Sequence, residues 1–176
     1  MNGYLVLLII VTIVAICALI YFNAHTKIKK YNIKIMKAEE KINGSINKKN
    51  DLIKLIAKVV KKVTKKDYLK DYIEIEKEEL DNIEFDYKLG EAEKLFNDLL
   101  RDYSTLRKNK DSKKYVDELR EINEILVSSK DIYNTNSESL NKLIKRIPNN
   151  IIAKIMKVDI KQYYHNIKTD DNETLI

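Results

Sequence analysis

Most chemistry needs particular side chains, and this sequence offers few of them. Its histidines are His25 and His165, and its cysteine is Cys17. A metal site of imidazoles and thiolates needs several ligands converging, and a Cys–His nucleophile needs the two side by side. Cys17 lies within an apolar run, His25 just beyond it and His165 near the C-terminus, so neither arrangement is expected. A single cysteine also excludes a disulfide within one chain. Acidic residues are plentiful, but no Glu-x-x-His set like that of helical di-iron bundles occurs. Three glycines are too few for a glycine-rich phosphate loop. The expectation is a protein without enzymatic activity, metal or cofactor, whose carboxylates lie on solvated faces.

Asparagine is more informative. Asn134 and Asn141 are seven residues apart and so share one face of a helix. Two readings follow. They form a buried polar layer that fixes helix register, as a core Asn does in coiled coils, or they line a small polar pocket for a ligand or partner.

These side chains need elements to hold them. One proline and three glycines among 176 residues favour a few long helices. No stretch shows the alternation of a half-buried strand. Residues 4–22, from Tyr4 to Phe22, contain no charge. As a helix they span about 28 Å, close to the hydrocarbon thickness of a bilayer. Tyr4 at one end and Tyr21-Phe22 at the other suit the two interfaces. A cleaved signal peptide fits less well, since Met1-Asn2-Gly3 is not basic and the apolar run is long. Bulky Ile16 before Cys17 argues against a lipoprotein site. Downstream come Lys27, Lys29, Lys30, Lys34 and Lys37, and upstream there is no basic side chain. The positive-inside rule then places the N-terminus outside and the main domain in the cytoplasm, with the lysines near anionic headgroups.

A heptad pattern follows. Ile28, Ile35, Ile42, Ile56 and Val63 share one position, interrupted by Lys49, and Tyr31, Ala38, Ser45, Leu52 and Val59 share another. This is an amphipathic helix to about residue 66, long enough for coiled-coil-like packing. Asp67 can cap a second helix with Leu69, Tyr72, Ile73, Leu80 and Ile83, and a third carries residues 89–103. Asp111 or Ser112 can cap a fourth, ended by Pro148. Residues 48–70 hold nine lysines and residues 71–93 ten acids. Pairing across a hairpin explains both runs more simply than nucleic-acid binding, for which no aromatic platform is present. Ile151, Ile152, Ile155 and Met156 fall near one face, with Lys154, Lys157 and Lys161 alongside. That segment either lies on the membrane surface or caps the end of the bundle. The tail from residue 166 reads as acidic and disordered. The resulting division is a 1–3 N-terminus, a 4–22 membrane helix, a 23–158 helical bundle and a 159–176 tail.

Several short motifs, in their order and spacing, resemble the LemA family of bacterial membrane proteins. Tyr31-Asn32 matches the family's Tyr-Asn after the membrane segment. Residues 50–56 match an Arg-Asp-Leu-Ile-Pro-Asn-Leu-like motif at Asp51, Leu52 and Ile53, with Asn50 for the Arg and Lys54 for the Pro. Tyr103-Ser104-Thr105-Leu106 stands for a Tyr-Pro-x-Leu turn. Tyr133-Asn134, Leu140-Asn141 and Ile147-Pro148 keep the spacing of the family's Tyr-Asn, Tyr-Asn and aromatic-Pro. Asn123 replaces a usual Glu and Lys130 an Arg. The resemblance implies an all-α fold, an N-terminal transmembrane helix followed by an elongated up-and-down four-helix bundle. It also implies a non-catalytic role in membrane organisation or envelope maintenance. In that topology Tyr133, Asn134, Asn141 and Pro148 come toward Tyr31-Asn32. The expected partners are membrane lipid and other membrane proteins, not nucleic acid, and homo-oligomers are left open.

Overall fold

No proline falls between Tyr4 and Thr64 to interrupt a helix. Helix α1 accordingly runs unbroken over Gly3–Thr64 in a computed structural model, which describes residues 3–74 and 80–164. Helices α2 (Lys70–Ile73), α3 (Asn82–Asp102), α4 (Ser104–Lys108), α5 (Lys110–Ile144) and α6 (Asn149–Ile155) follow, and no strand occurs among the described residues. The apolar 4–22 stretch of α1 is exposed all round, and it is long and apolar enough to cross a membrane. Gly44 in mid-helix does not interrupt α1.

The described chain divides into two units, residues 3–38 with 131–164 and residues 39–74 with 80–130. In the first, α1 buries Ala24, Ile28, Ile35 and Ala38, two heptad rows. Tyr133, Leu140, Asn141 and Ile144 of α5 are buried there, as are Ile152 and Ala153 of α6. In the second unit α1 buries a third row, Ile46, Ile53 and Val60, with Ala57 beside it. A face this wide indicates packing against more than one neighbour. Helix α3 buries Phe85, Leu89, Ala92, Phe96 and Leu99 at helical spacing. Full burial of each such large side chain stabilises by about 1.5–3 kcal/mol.

Several boundaries differ from the sequence reading. Asp67 caps no helix, since its carboxylate pairs with Lys61 at 2.6 Å and α2 is a single turn that follows Leu69. Ile83 belongs to α3, whose cap is Asp81; its Oδ1 accepts from the Ile83 and Glu84 amides, each at 2.8 Å. Asn109 rather than Asp111 or Ser112 caps α5, accepting from both of their amides. Helix α5 stops at Ile144, before Pro148, which sits at the N-cap of α6 after a cis peptide bond. Asn149 closes the end of α5 by donating to the Leu143 carbonyl at 3.2 Å. Among the described residues one ion pair, Lys49–Glu93, joins the 48–70 run of α1 to the acids of α3, and Glu76, Glu78 and Glu79 of the acidic run lie outside the described residues.

Candidate functional site

Asn134 and Asn141 lie two turns apart on α5, about 10.5 Å along its axis. Each turns its side-chain amide to the main chain of residues 158–164. Asn141 donates to the Lys161 carbonyl at 2.8 Å and accepts from the Lys161 amide at 2.9 Å. Asn134 does the same with Tyr164, at 2.8 and 2.9 Å. Three residues of extended chain cover about 10–11 Å, so the two spacings match. The order of the pairs sets the segment antiparallel to α5. Two rings complete the arrangement: Tyr164 meets Tyr133 edge to face with centroids 4.8 Å apart, and the Tyr163 hydroxyl lies 3.3 Å from the Asn141 amide. The asparagines are therefore neither a helix–helix polar layer nor an open pocket. They hold the chain's own segment.

The other residues singled out by sequence are distributed. Tyr31 and Asn32 are half-buried in the same unit, and the Asn32 amide reaches Met36 Sδ in its own helix at 3.9 Å. No hydrogen bond joins them to the Asn134–Asn141 pair among those described. Asp51 is exposed in the other unit. Pro148 is exposed between α5 and α6. Lys27, Lys29 and Lys30 are exposed on α1, and Lys154 and Lys157 are exposed beside Ile155. Ile152 is buried at 5% exposure and cannot touch a membrane, because Asn149, Ile152, Ala153 and Met156 make the inward face of α6. Ile151 and Ile155 stand outward instead. His25 stacks on Tyr21 one turn earlier, and His165 and the acidic tail lie outside the described residues.

The second unit carries a polar cluster that the sequence pattern showed only as an interruption. Lys49 is buried, and its ammonium lies 2.7 Å from Glu93 and 2.9 Å from Asn123 Oδ1. Asn123 Nδ2 donates to Glu93 at 2.7 Å and closes the ring. Lys130 pairs with Asp86, both side chains largely buried. These clusters pair every charge they contain. Near the end of α1, a depression of about 330 Å³ is lined by Lys54, Ala57, Lys58, Lys61, Asp67 and Ile73. Among the described residues no group of three or more His, Cys, Asp and Glu side chains could hold a metal. The pKa shifts that occur are local. The Tyr68 and Tyr103 hydroxyls are 2.5 Å apart, and this bond, with burial, pushes Tyr103 above the usual tyrosine range. A hydrogen bond to Glu91, with that carboxylate's charge, raises Lys88.

Compared with protein families, residues 38–175 match the model of the LemA family. The chain belongs to the LemA family. No curated protein and no solved structure matches it. The match runs past residue 158, so the segment held by Asn134 and Asn141 is part of the LemA region. Two of the positions where the chain departs from the motifs it resembles, Asn123 and Lys130, are each built into a polar pair with a partner on α3.

Proposed function

We propose that this LemA protein is a single-pass, membrane-anchored, non-catalytic scaffold that binds other membrane proteins in membrane organisation or envelope maintenance. Its N-terminus lies outside and its main domain, an elongated up-and-down four-helix bundle, lies in the cytoplasm. The observation that carries the reading is α1 itself. One unbroken helix begins with apolar side chains exposed on every side and continues with a face buried in protein. A water-soluble helix would not expose the first stretch, and a pure anchor would not bury the second. Protease treatment of spheroplasts tests the topology, and cleavage of the main domain from outside overturns it. Photocrosslinkers at exposed positions in intact membranes should trap specific membrane proteins, and traps yielding no protein adduct overturn the scaffold role.

A second reading, contact with the lipid surface, is favoured by one observation. Ile147, Ile151, Ile155 and Ile160 are 80%, 57%, 65% and 59% exposed within fourteen residues. Between Ser139 and Val158 there are Lys142, Lys145, Arg146, Lys154 and Lys157, and no acid. An apolar ridge with basic flanks suits an anionic leaflet. The chain has no tryptophan, so Ile155→Trp in the full-length protein reports one place. In phosphatidylglycerol nanodiscs with brominated acyl chains its emission should be quenched several-fold more than in phosphatidylcholine discs. Emission unaffected by bromine in both rejects the contact.

A further inference from the structure

Four of the bonds that Asn134 and Asn141 make go to main-chain atoms, beside the longer one from Asn141 to the Tyr163 hydroxyl. Such pairing reads the direction and spacing of an extended strand and is indifferent to which copy of the chain supplies it. The stretch that precedes the held segment is built like a hinge. Helix α6 ends in a Schellman turn, with the Val158 amide bonded to the Ala153 carbonyl at 3.0 Å and the Lys157 amide to Lys154 at 3.1 Å. The residue at its left-handed position is Lys157, with φ 54°, where glycine is the usual occupant. A side chain bearing Cβ is disfavoured there, so swinging residues 158–164 away by rotation at Lys157 relieves a strained position as the four bonds are given up. A short strained connection before an otherwise self-sufficient segment is the setting in which identical chains trade elements.

We infer that the face of α5 between Asn134 and Asn141 is a strand-reading groove, and that two copies of this chain exchange residues 158–164 across it. The occupant is a second copy because the one strand shown to fit is this chain's own: its Lys161 and Tyr164 have the spacing of the two amides, and its Tyr164 meets Tyr133. The closed form is the monomer, with the groove filled from within. The exchanged form gives up the Val158–Ala153 turn bond, keeps the four main-chain bonds to Asn134 and Asn141, and links two molecules through the same contacts.

Complementary full-length variants test this without any soluble fragment. The first, Asn134→Ala with Asn141→Ala, lacks the groove amides but keeps the segment. The second, Lys161→Pro with Tyr164→Pro, keeps the groove but lacks both main-chain donors. The two are given different tags, co-expressed, solubilised in detergent and captured through one tag. Exchange predicts that the mixed pair is recovered several-fold above either variant paired with itself, because the intact segment of the first fits the vacated groove of the second. Asn141→Asp, which keeps size and acceptor but loses the donor to Lys161, should replace the double alanine with a smaller effect in the same direction. Helical circular dichroism of each variant should match the parent. Mixed capture no greater than same-variant capture overturns the proposal, whether all pairs associate or none does. Membrane retention of the variants is read separately, so failure here leaves the anchored reading untouched.

Discussion

A buried ammonium persists only where other groups replace its water. Lys49 has Glu93 and Asn123 as that replacement, and both come from other helices. Lys49→Met should therefore lose about 2–4 kcal/mol in chemical denaturation, because it strands the Glu93 carboxylate. Adding Glu93→Leu and Asn123→Leu should recover stability to within about 1 kcal/mol of the parent, since an apolar replacement of a whole buried cluster is often neutral. The Tyr68–Tyr103 bond has a different signature. Folding raises the Tyr103 pKa, so the folded state holds its proton more tightly. The stability this confers is complete below the unfolded value, about pH 10, and is lost as pH rises through the raised value. Tyr68→Phe should remove that alkaline dependence and return the ultraviolet titration of Tyr103 toward the normal range. A dependence unchanged by Tyr68→Phe would contradict this cause. Lys49 was visible in the sequence as a break in a heptad row. Its partners were not, because nothing local in positions 93 or 123 marks them as facing it across the fold.

Helix ends and interiors make their own demands. At Gly44 an added Cβ would meet nothing within 4 Å, and the residue lies deep inside α1. Gly44→Ala should stabilise by about 0.5–1 kcal/mol, from the backbone freedom that glycine loses on folding. Lys65 shows the opposite mismatch, a φ of 61° just past the end of α1 with its amide bonded to the Lys61 carbonyl. Lys65→Gly should gain about 1 kcal/mol. Thermal melts of the two variants, singly and together, check both signs; a lower melting temperature for either rejects the corresponding argument. Two of the inward rows of α1 were legible because periodicity accumulates over many residues; the third, Ile46, Ile53 and Val60, shows only in the fold. The caps were not legible, because Asp67, Asp81, Asn109, Asp111 and Ser112 are all competent caps by type. Which of them caps depends on where the chain turns, and tertiary packing decides that.

At the scale of the whole molecule, one stretch of α1 is exposed on every side among the described residues. Residues 4–22 expose their apolar side chains throughout, and the anchored reading assigns them to lipid. Ile10→Lys with Val14→Lys places two charges near the middle of that stretch, each opposing insertion by about 2.5–3.5 kcal/mol. The double variant should move from the carbonate-resistant membrane fraction to the soluble one, and full retention would count against anchoring by this segment. The membrane-length run was the plainest feature of the sequence, since length and absence of charge need no tertiary knowledge. The association of residues 158–164 with α5 was hidden. It rests on two asparagines bonding main-chain groups, and main-chain groups leave no trace in residue identity.

That last point bears on how the chain can vary. A grip on amides and carbonyls places almost no demand on the side chains of the strand it holds. At Lys161 and Gln162 the gripped strand can drift through many residue types with its four bonds intact. Proline is the exception, barred from 161 and 164 because it brings no amide hydrogen. The selective burden falls instead on Asn134 and Asn141: leucine there loses two bonded groups at once, and aspartate keeps the acceptor but leaves a carbonyl repelled. A pair of fixed asparagines facing a stretch of permissive sequence is the mutational record such a grip would write.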